Sequence, residues 1–168
     1  VDFSSYIFVE STGLLTKSAS GLRSLSDMSG KRIAVVSGTT NEQAVKTQLA
    51  RREINATVLP FATRDEAFAA LEDGKADAFA SDKLLLVGVG NKARDSKSLL
   101  LLPDELSFEP YGIALPRDDA DFRLAVNSGL AHLYRSGEIV EIFRRWFRQF
   151  GEPSPIIRAM YLLGAIPE

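Results

Sequence analysis

The first half of the chain alternates between strand-like and helix-like segments, and this alternation limits the chain to few folds. Residues 32–36, 56–61 and 76–80 are short apolar segments bounded by turn residues, which is typical of buried strands. Two segments with helical periodicity, residues 41–52 and 64–73, separate them. Strands that alternate with helices pair in parallel through right-handed crossovers. The alternation therefore predicts an α/β domain built on a parallel sheet.

A polar turn lies between the first of these strands and the first helix. Gly38 allows the backbone to turn sharply or to approach a ligand closely. The free N–H groups and the positive end of the helix dipole would then form a binding site for an anion. Thr39 and Thr40 are each followed three residues later by a residue suited to a capping box, so a purely structural role stays open. The turn consists of Ser37, Gly38, Thr39 and Thr40.

Charged residues follow the other two strands of the alternation. Arg64 comes after the second strand, and Asp82 comes after the third. Taken singly, Arg64 fits a solvated residue in a first helical turn, and Asp82 fits the cap of the helix that begins at Lys83. Together with the turn, however, they fall on the edge where parallel sheets bind ligands. N–H donors, a cation and a carboxylate on one edge predict a site for an amino-acid zwitterion.

Composition excludes several other classes of protein. The net charge of −2 gives no reason to expect nucleic acid or an anionic membrane as a partner. The chain has no cysteine, and its single histidine, His132, argues against a histidine-based metal site or catalytic triad. No run of about 20 apolar residues is present to span a bilayer. We therefore expect no metal and no cofactor.

The C-terminal part of the chain predicts one more strand and two helices. Residues 111–116 have strand character, and a helix extends from Asp118 to about Arg135. The second helix has one apolar face, while its arginines are expected to form a solvated face rather than a nucleic-acid patch. Residues 151–168 contain three prolines and are expected to wrap the surface as a tail. The apolar face consists of Ile139, Phe143, Trp146 and Phe150, and the arginines are Arg144, Arg145 and Arg148.

Seven segments of the sequence resemble the extracellular solute-binding proteins of polar amino-acid ABC transporters (family 3), and the opening segments are most like the glutamate/aspartate-binding branch. The resemblance implies the type II periplasmic-binding-protein fold, an α/β Venus flytrap whose two lobes close on the ligand like a hinge. It covers nearly the whole chain. The segments that carry it are residues 2–4, 14–17, 25–31, 37–40, 71–78, 111–116 and 137–147.

This resemblance also implies a division of the chain. Residues 10–111 would form the complete second lobe, and residues 1–9 and 112–168 would form the C-terminal part of the first. In the family, a further segment of the first lobe precedes the position of Asp2 and helps to clamp the α-carboxylate. The chain opens on Val1 without a signal peptide, so we expect that it derives from a longer precursor that carried one. Such a fragment would bind weakly and could self-associate through exposed apolar surface.

The family pattern carries over residue by residue to the polar edge. Thr39 and Thr40, with Ser37 and Gly38 in the same turn, match the position that binds the α-carboxylate. Asp82 matches the aspartate that takes the ammonium group. Arg64 stands where the acidic branch has a histidine, and its permanently charged guanidinium would suit a side-chain carboxylate.

The resemblance predicts a binding protein rather than an enzyme. It would capture an acidic amino acid, glutamate or aspartate, in the periplasm or at the cell surface and deliver it to a membrane permease. Two alternatives stay open. One is a dehydratase of the same fold, with Asp82 or Glu10 as general acid or base. The other is the ligand-sensing domain of a membrane receptor.

Overall fold

The computed structural model describes residues 1–147 and 152–166 and divides the chain into two compact units. One unit is Glu10–Phe108, and the other combines Val1–Val9 with Glu109–Glu168. No helix among the described residues is long and apolar enough to cross a membrane. The strands are β1 (Asp2–Glu10), β2 (Thr12–Lys17), β3 (Arg32–Val36), β4 (Thr57–Phe61), β5 (Ala78–Asp82), β6 (Leu99–Leu101) and β7 (Glu109–Leu115). The α-helices are α1 (Thr40–Arg51), α2 (Arg64–Glu72), α3 (Lys83–Gly90), α4 (Ala120–Ser136), α5 (Glu138–Trp146) and α6 (Pro155–Gly164).

The unit Glu10–Phe108 is built on a five-stranded sheet with the strand order β4-β3-β5-β2-β6. Strand β3 lies in the middle of three parallel strands, because it pairs in parallel with both β4 and β5. The predicted parallel pairing of these three strands is therefore confirmed. Strand β2 precedes the first crossover and pairs antiparallel with β5 and β6, so the sheet as a whole is mixed.

Strand β5 begins two residues later than the sequence pattern predicts. Ala76 and Asp77 still belong to the connection from α2, since the N–H of Ala76 donates to the carbonyl of Ala70. The Asp77 carboxylate then pairs with the guanidinium of Arg32 at 3.0 Å, beside the start of β3. This shift carries β5 through to Asp82, which is its last residue.

Both faces of the sheet are buried, because successive side chains of a strand point to opposite sides. Ala34 faces one side and Ile33 and Val35 the other. The first side packs against α2 and α3, and its largest fully buried side chain is Phe79. The second side packs against α1 and a 3-10 helix at Leu25–Met28. The helices that pack on both faces thus keep the ends of the strands in place relative to one another.

The other unit contains the two-stranded sheet of β1 and β7 and the helices α4 to α6. Residues 155–164 form a helix and do not wrap the surface as a tail, because Ser154 accepts a hydrogen bond from the Ile157 N–H and Pro155 opens the first turn. Trp146 is 73% exposed, unlike its predicted face-mates Ile139 and Phe143. Phe150 and Arg148 lie outside the described residues.

Candidate functional site

Three turns meet at the carboxyl edge of the parallel strands. Strand β3 ends at Val36, beside the end of β4 at Phe61, and β5 ends at Asp82 on the other side of β3. Because neighbouring strands lie about 4.8 Å apart, the backbone positions that follow β4 and β5 are separated by about 10 Å. The predicted turn at residues 37–40 therefore lies in the middle, with Arg64 on one side of it and Asp82 on the other.

The backbone of the central turn depends on its glycine. Gly38 has a φ of 73°, in the left-handed region where a side chain is strained. Thr39 follows as the N-cap of α1, and its Oγ1 accepts a hydrogen bond from the Glu42 N–H at 3.3 Å. The same hydroxyl donates to the carbonyl of Val36 at 2.7 Å. The hydroxyl of Thr39 is thus engaged within the turn, which agrees with its structural interpretation as a cap.

Thr40 has a different role, and its predicted capping box with Gln43 is wrong. Thr40 is already the first helical residue of α1, and the Gln43 N–H donates instead to the carbonyl of Thr39 at 3.3 Å. Thr40 is exposed, and its side chain has no hydrogen-bond partner among the described residues. Of the two adjacent threonines, therefore, one is a cap and the other presents a free hydroxyl at the edge.

This difference predicts unequal effects on stability. Thr39→Ala removes an N-cap and should lower the free energy of unfolding by about 1 kcal/mol. Thr40→Ala removes no internal hydrogen bond and should change it by less than about 0.5 kcal/mol. Urea unfolding followed by circular dichroism measures both. Equal destabilisation by the two variants would contradict the assignment of Thr39 as the cap.

A carboxylate of the chain itself occupies part of the turn predicted to bind an anion. Oε2 of Glu42 accepts a hydrogen bond from the Gly38 N–H at 2.7 Å, and its Oε1 pairs with Nζ of Lys46 at 2.7 Å. The Lys46 ammonium and the Gly38 N–H together hold the pKa of Glu42 below its usual range. The N–H groups of Thr39, Thr40 and Asn41 have no acceptor among the described residues. These donors are the ones available to a ligand.

Arg64 presents a free cation on one side of the turn. It is the first residue of α2, whose N-cap Thr63 forms a capping box with Glu66. The Arg64 side chain is exposed and makes no hydrogen bond or ion pair with any described residue. Arg32, by contrast, is paired with Asp77. The cap is made by Thr63 and Glu66, so Arg64 is not needed to hold the helix.

Asp82 presents a free carboxylate on the other side. It occupies the N-cap position of α3, but its side chain makes no capping hydrogen bond. It also forms no ion pair with the part of the chain that the structure describes. The alternative interpretation of Asp82 as a helix cap is therefore wrong. Its carboxylate is half-buried, and no described residue competes with a ligand for it.

Sequence reasoning missed a polar network that anchors the start of α1. Oγ1 of Thr12, a fully buried residue, donates to Oδ1 of Asn41 at 2.5 Å and accepts from Oγ of Ser107 at 2.9 Å. Thr12 is also the register partner of Asp82 across β2 and β5. The network thus links the central turn to the strand end that carries Asp82. No local signal could reveal it, since Thr12 and Ser107 are 95 residues apart.

The described residues contain no group of three or more His, Cys, Asp or Glu side chains that could hold a metal ion. The edge therefore offers N–H donors, one guanidinium and one carboxylate as its recognition groups. An open α/β sheet with such groups beyond the carboxyl ends of its strands has the architecture of a small-molecule binding domain.

Comparison with known proteins gives the family. A protein-family model described as NMT1/THI5 like matches residues 2–98, more than half of the chain, and the chain belongs to this family. Curated relatives include the L-glutamate/L-aspartate-binding protein of Pseudomonas aeruginosa, which is 34% identical over 149 residues. The glutamate/aspartate import solute-binding protein of Escherichia coli is 32% identical over 146 residues, and the ABC transporter glutamine-binding protein of Bacillus subtilis is 30% identical over 150 residues. The predicted resemblance to amino-acid solute-binding proteins is confirmed.

These matches cover 89%, 87% and 89% of this chain and 49%, 48% and 52% of the respective relatives. The chain thus spans about half the length of the curated relatives it matches. An ABC-transporter periplasmic binding protein from Brucella ovis with glutathione bound superimposes with a TM-score of 0.70 at 25% identity, covering 99% of this chain and 52% of that one. The GluR0 ligand-binding core from Nostoc punctiforme in complex with L-glutamate gives 0.60 at 30% identity, covering 87% and 65%. The predicted α/β Venus-flytrap fold, present here in part, is confirmed.

Proposed function

We propose that this chain supplies the ligand-binding edge of a protein that captures an acidic amino acid, glutamate or aspartate, and delivers it to the membrane permease of an ABC transporter. The observation that carries the proposal is that three kinds of recognition group on one sheet edge have no partner within residues 1–147 and 152–166. They are the N–H groups at the start of α1, the guanidinium of Arg64 and the carboxylate of Asp82. An amino acid with a carboxylate side chain complements all three.

Each residue of the edge then binds a different group of the ligand. The N–H groups of Thr39 and Thr40, with the free Thr40 hydroxyl and the neighbouring Ser37, receive the α-carboxylate. Gly38 contributes the shape of the turn, because its own N–H is already bound to Glu42. Asp82 accepts the ammonium group. Arg64 pairs with the side-chain carboxylate.

The relatives support binding and transport rather than catalysis. Their names describe binding proteins for glutamate, aspartate or glutamine, and two of the names place them in import or ABC transport. We accordingly propose that the chain is not an enzyme and that it acts in the periplasm or at the outer surface of the cell membrane. In this proposal, the unit Glu10–Phe108 is the second lobe of the flytrap, and the other unit is part of the first lobe.

A second candidate function is a ligand-sensing domain of a membrane receptor. It is favoured by the structural similarity to the GluR0 ligand-binding core with L-glutamate bound. Both functions use the same ligand-binding edge. They differ in what the rest of the polypeptide contains, so the presence of a transmembrane helix in the full gene product would favour the receptor.

Calorimetric titration tests the ligand class directly. L-glutamate, L-aspartate and L-glutamine are titrated into the protein expressed from its natural start codon. We expect the two acidic amino acids to bind with a Kd of about 1 µM or tighter, and L-glutamine to bind more weakly. Absence of heat from all three ligands would contradict the proposed function.

Arg64 should set the preference for an acidic side chain. Arg64→Leu removes the cation opposite the side-chain carboxylate and should weaken L-glutamate binding by about 10- to 100-fold. Binding of L-glutamine should change by less than about threefold. Arg51→Leu is the matched control, because Arg51 is also exposed but lies at the C-terminal end of α1, away from the edge. A parallel loss for both ligands would contradict this role of Arg64.

A further inference from the structure

The start of α3 is held by residues from outside the helix. The N–H of Lys83, the first residue of α3, donates to the carbonyl of Ser11 at 3.0 Å, and the side chain of Asp82 makes no capping hydrogen bond. Glu10 is only 5% exposed, and its Oε1 accepts a hydrogen bond from the Ser11 N–H at 2.9 Å. Weaker interactions with the N–H groups of Leu84 and Lys83 also favour the charged form of Glu10. The carboxylate of Glu10 thus lies at the N-terminus of α3.

The carboxylates of Glu10 and Asp82 are neighbours, and no protein cation is paired with either of them among the described residues. The nearest basic residue in sequence, Lys83, directs its ammonium elsewhere. Its Nζ lies 3.3 Å from Oε1 of Glu105 and 3.3 Å from the carbonyl oxygen of Pro103. The side chain of Lys83 also passes over Gly13, where an added Cβ would lie 2.6 Å from its Cγ. In the described part of the chain, therefore, no ion pair balances the negative charge of these two carboxylates.

We infer that Glu10 is a positioning residue for the ammonium group of the ligand: it takes over the start of α3, leaves Asp82 unpaired, and adds a second negative charge behind Asp82. This inference rests on the proposed function. It also specifies the ligand further. The group that binds at Asp82 must carry a full positive charge, so an N-acetylated amino acid should be rejected even when both of its carboxylates are intact.

The arrangement makes binding depend on pH. Burial raises the pKa of the Glu10 carboxyl, the Ser11 N–H opposes this effect, and the charge of Asp82 raises the pKa further. The negative charge that acts on Glu10 is that of Asp82 on β5, and the ammonium of Lys83, the next residue along the chain, is paired with Glu105. A bound ammonium favours the ionised form of Glu10. Affinity should therefore fall as the pH drops through the raised pKa and Glu10 takes up a proton.

Glu10→Gln tests the inference, because glutamine keeps an oxygen that can accept the Ser11 hydrogen bond but carries no charge. The Kd for L-glutamate at pH 7 should rise by about tenfold. Between about pH 7 and about pH 4, the variant should lose less affinity than the wild type, because the carboxyl group at position 10 no longer takes up a proton. Glu53→Gln is the matched control, since Glu53 is exposed and follows the C-terminal end of α1.

A measurement on the wild type makes the test independent of how well the variant folds. Carbon-13 NMR of the Glu10 carboxyl should give a lower pKa with L-glutamate bound than without it. A Kd within about twofold of the wild type, an unchanged pH profile and the same Glu10 pKa in both states would overturn the inference while leaving the proposed function intact. Failure of the wild type to bind any amino acid would overturn both.

Discussion

Asp82→Asn should reduce the affinity for L-glutamate by about 100-fold or more. Asparagine has the same shape as aspartate but cannot offer a charge to the ammonium group. The carboxylate of Asp82 has no hydrogen bond or ion pair within the described chain, so its loss should not disturb the fold. The binding energy should therefore change while the free energy of unfolding stays within about 0.5 kcal/mol of the wild type. Calorimetric titration and urea unfolding measure the two quantities separately.

The matched control for this variant is Asp65→Asn. Asp65 lies in the first turn of α2, next to Arg64, and is exposed. Its replacement changes the net charge of the same sheet edge by the same amount without touching the ammonium position. We expect its effect on affinity to be within about threefold. If both variants lost affinity equally, Asp82 would act only through the overall charge of the edge.

The largest effect on stability is expected from Phe79→Ala, which should lower the free energy of unfolding of the unit Glu10–Phe108 by about 3–5 kcal/mol. Phe79 is fully buried in β5, and its ring centroid lies 6.3 Å from that of Phe68 on α2. Alanine would leave a cavity between the sheet and its helical layer. Because small domains are stable by only about 5–15 kcal/mol, such a loss is a large fraction of the total.

Hydrogen exchange of the amides of β3 and β5 measures this effect within the unit concerned, since it reports the opening of the sheet itself. Phe108→Ala is the control, because Phe108 belongs to the same unit but is 57% exposed. Its replacement should change stability by less than about 0.5 kcal/mol. Comparable losses for the two variants would mean that the buried layer around Phe79 is not what holds the sheet together.

The parts of the fold that sequence reasoning predicted are those with local signals. The cap of α1 by Thr39 depends on a residue three positions further on, Glu42. The parallel pairing of β3, β4 and β5 follows from the helices that connect them. The edge on which Arg64 and Asp82 lie follows from the same rule.

What could not be predicted depends on contacts between distant residues. Whether Asp82 caps α3 depends on Glu10 and Ser11, which belong to an earlier part of the chain. Gly38 and Glu42, which form a hydrogen bond, are only four residues apart. The capping-box pattern nevertheless predicts that the Glu42 carboxylate accepts from the N–H of Thr39 rather than from that of Gly38. Nothing in the residues of β2 itself indicates that this strand pairs antiparallel with its neighbours. The helix Pro155–Gly164 does have a local signal, because a serine directly before a proline is typical of a helix N-terminus. The other prolines nearby favoured the incorrect prediction of a tail.

The strand order β4-β3-β5 has a consequence for the length of the ligand that fits. In the proposed function, Arg64 after β4 and Asp82 after β5 hold opposite ends of one small molecule, with the α1 turn between them. The distance between these ends is set by two inter-strand spacings, which backbone hydrogen bonds fix and no side-chain substitution alters. The sheet therefore fixes the distance between the two ends of the proposed binding site. A homologue that takes a shorter or longer ligand must change the reach of the side chains at positions 64 and 82, because the strands themselves cannot move apart.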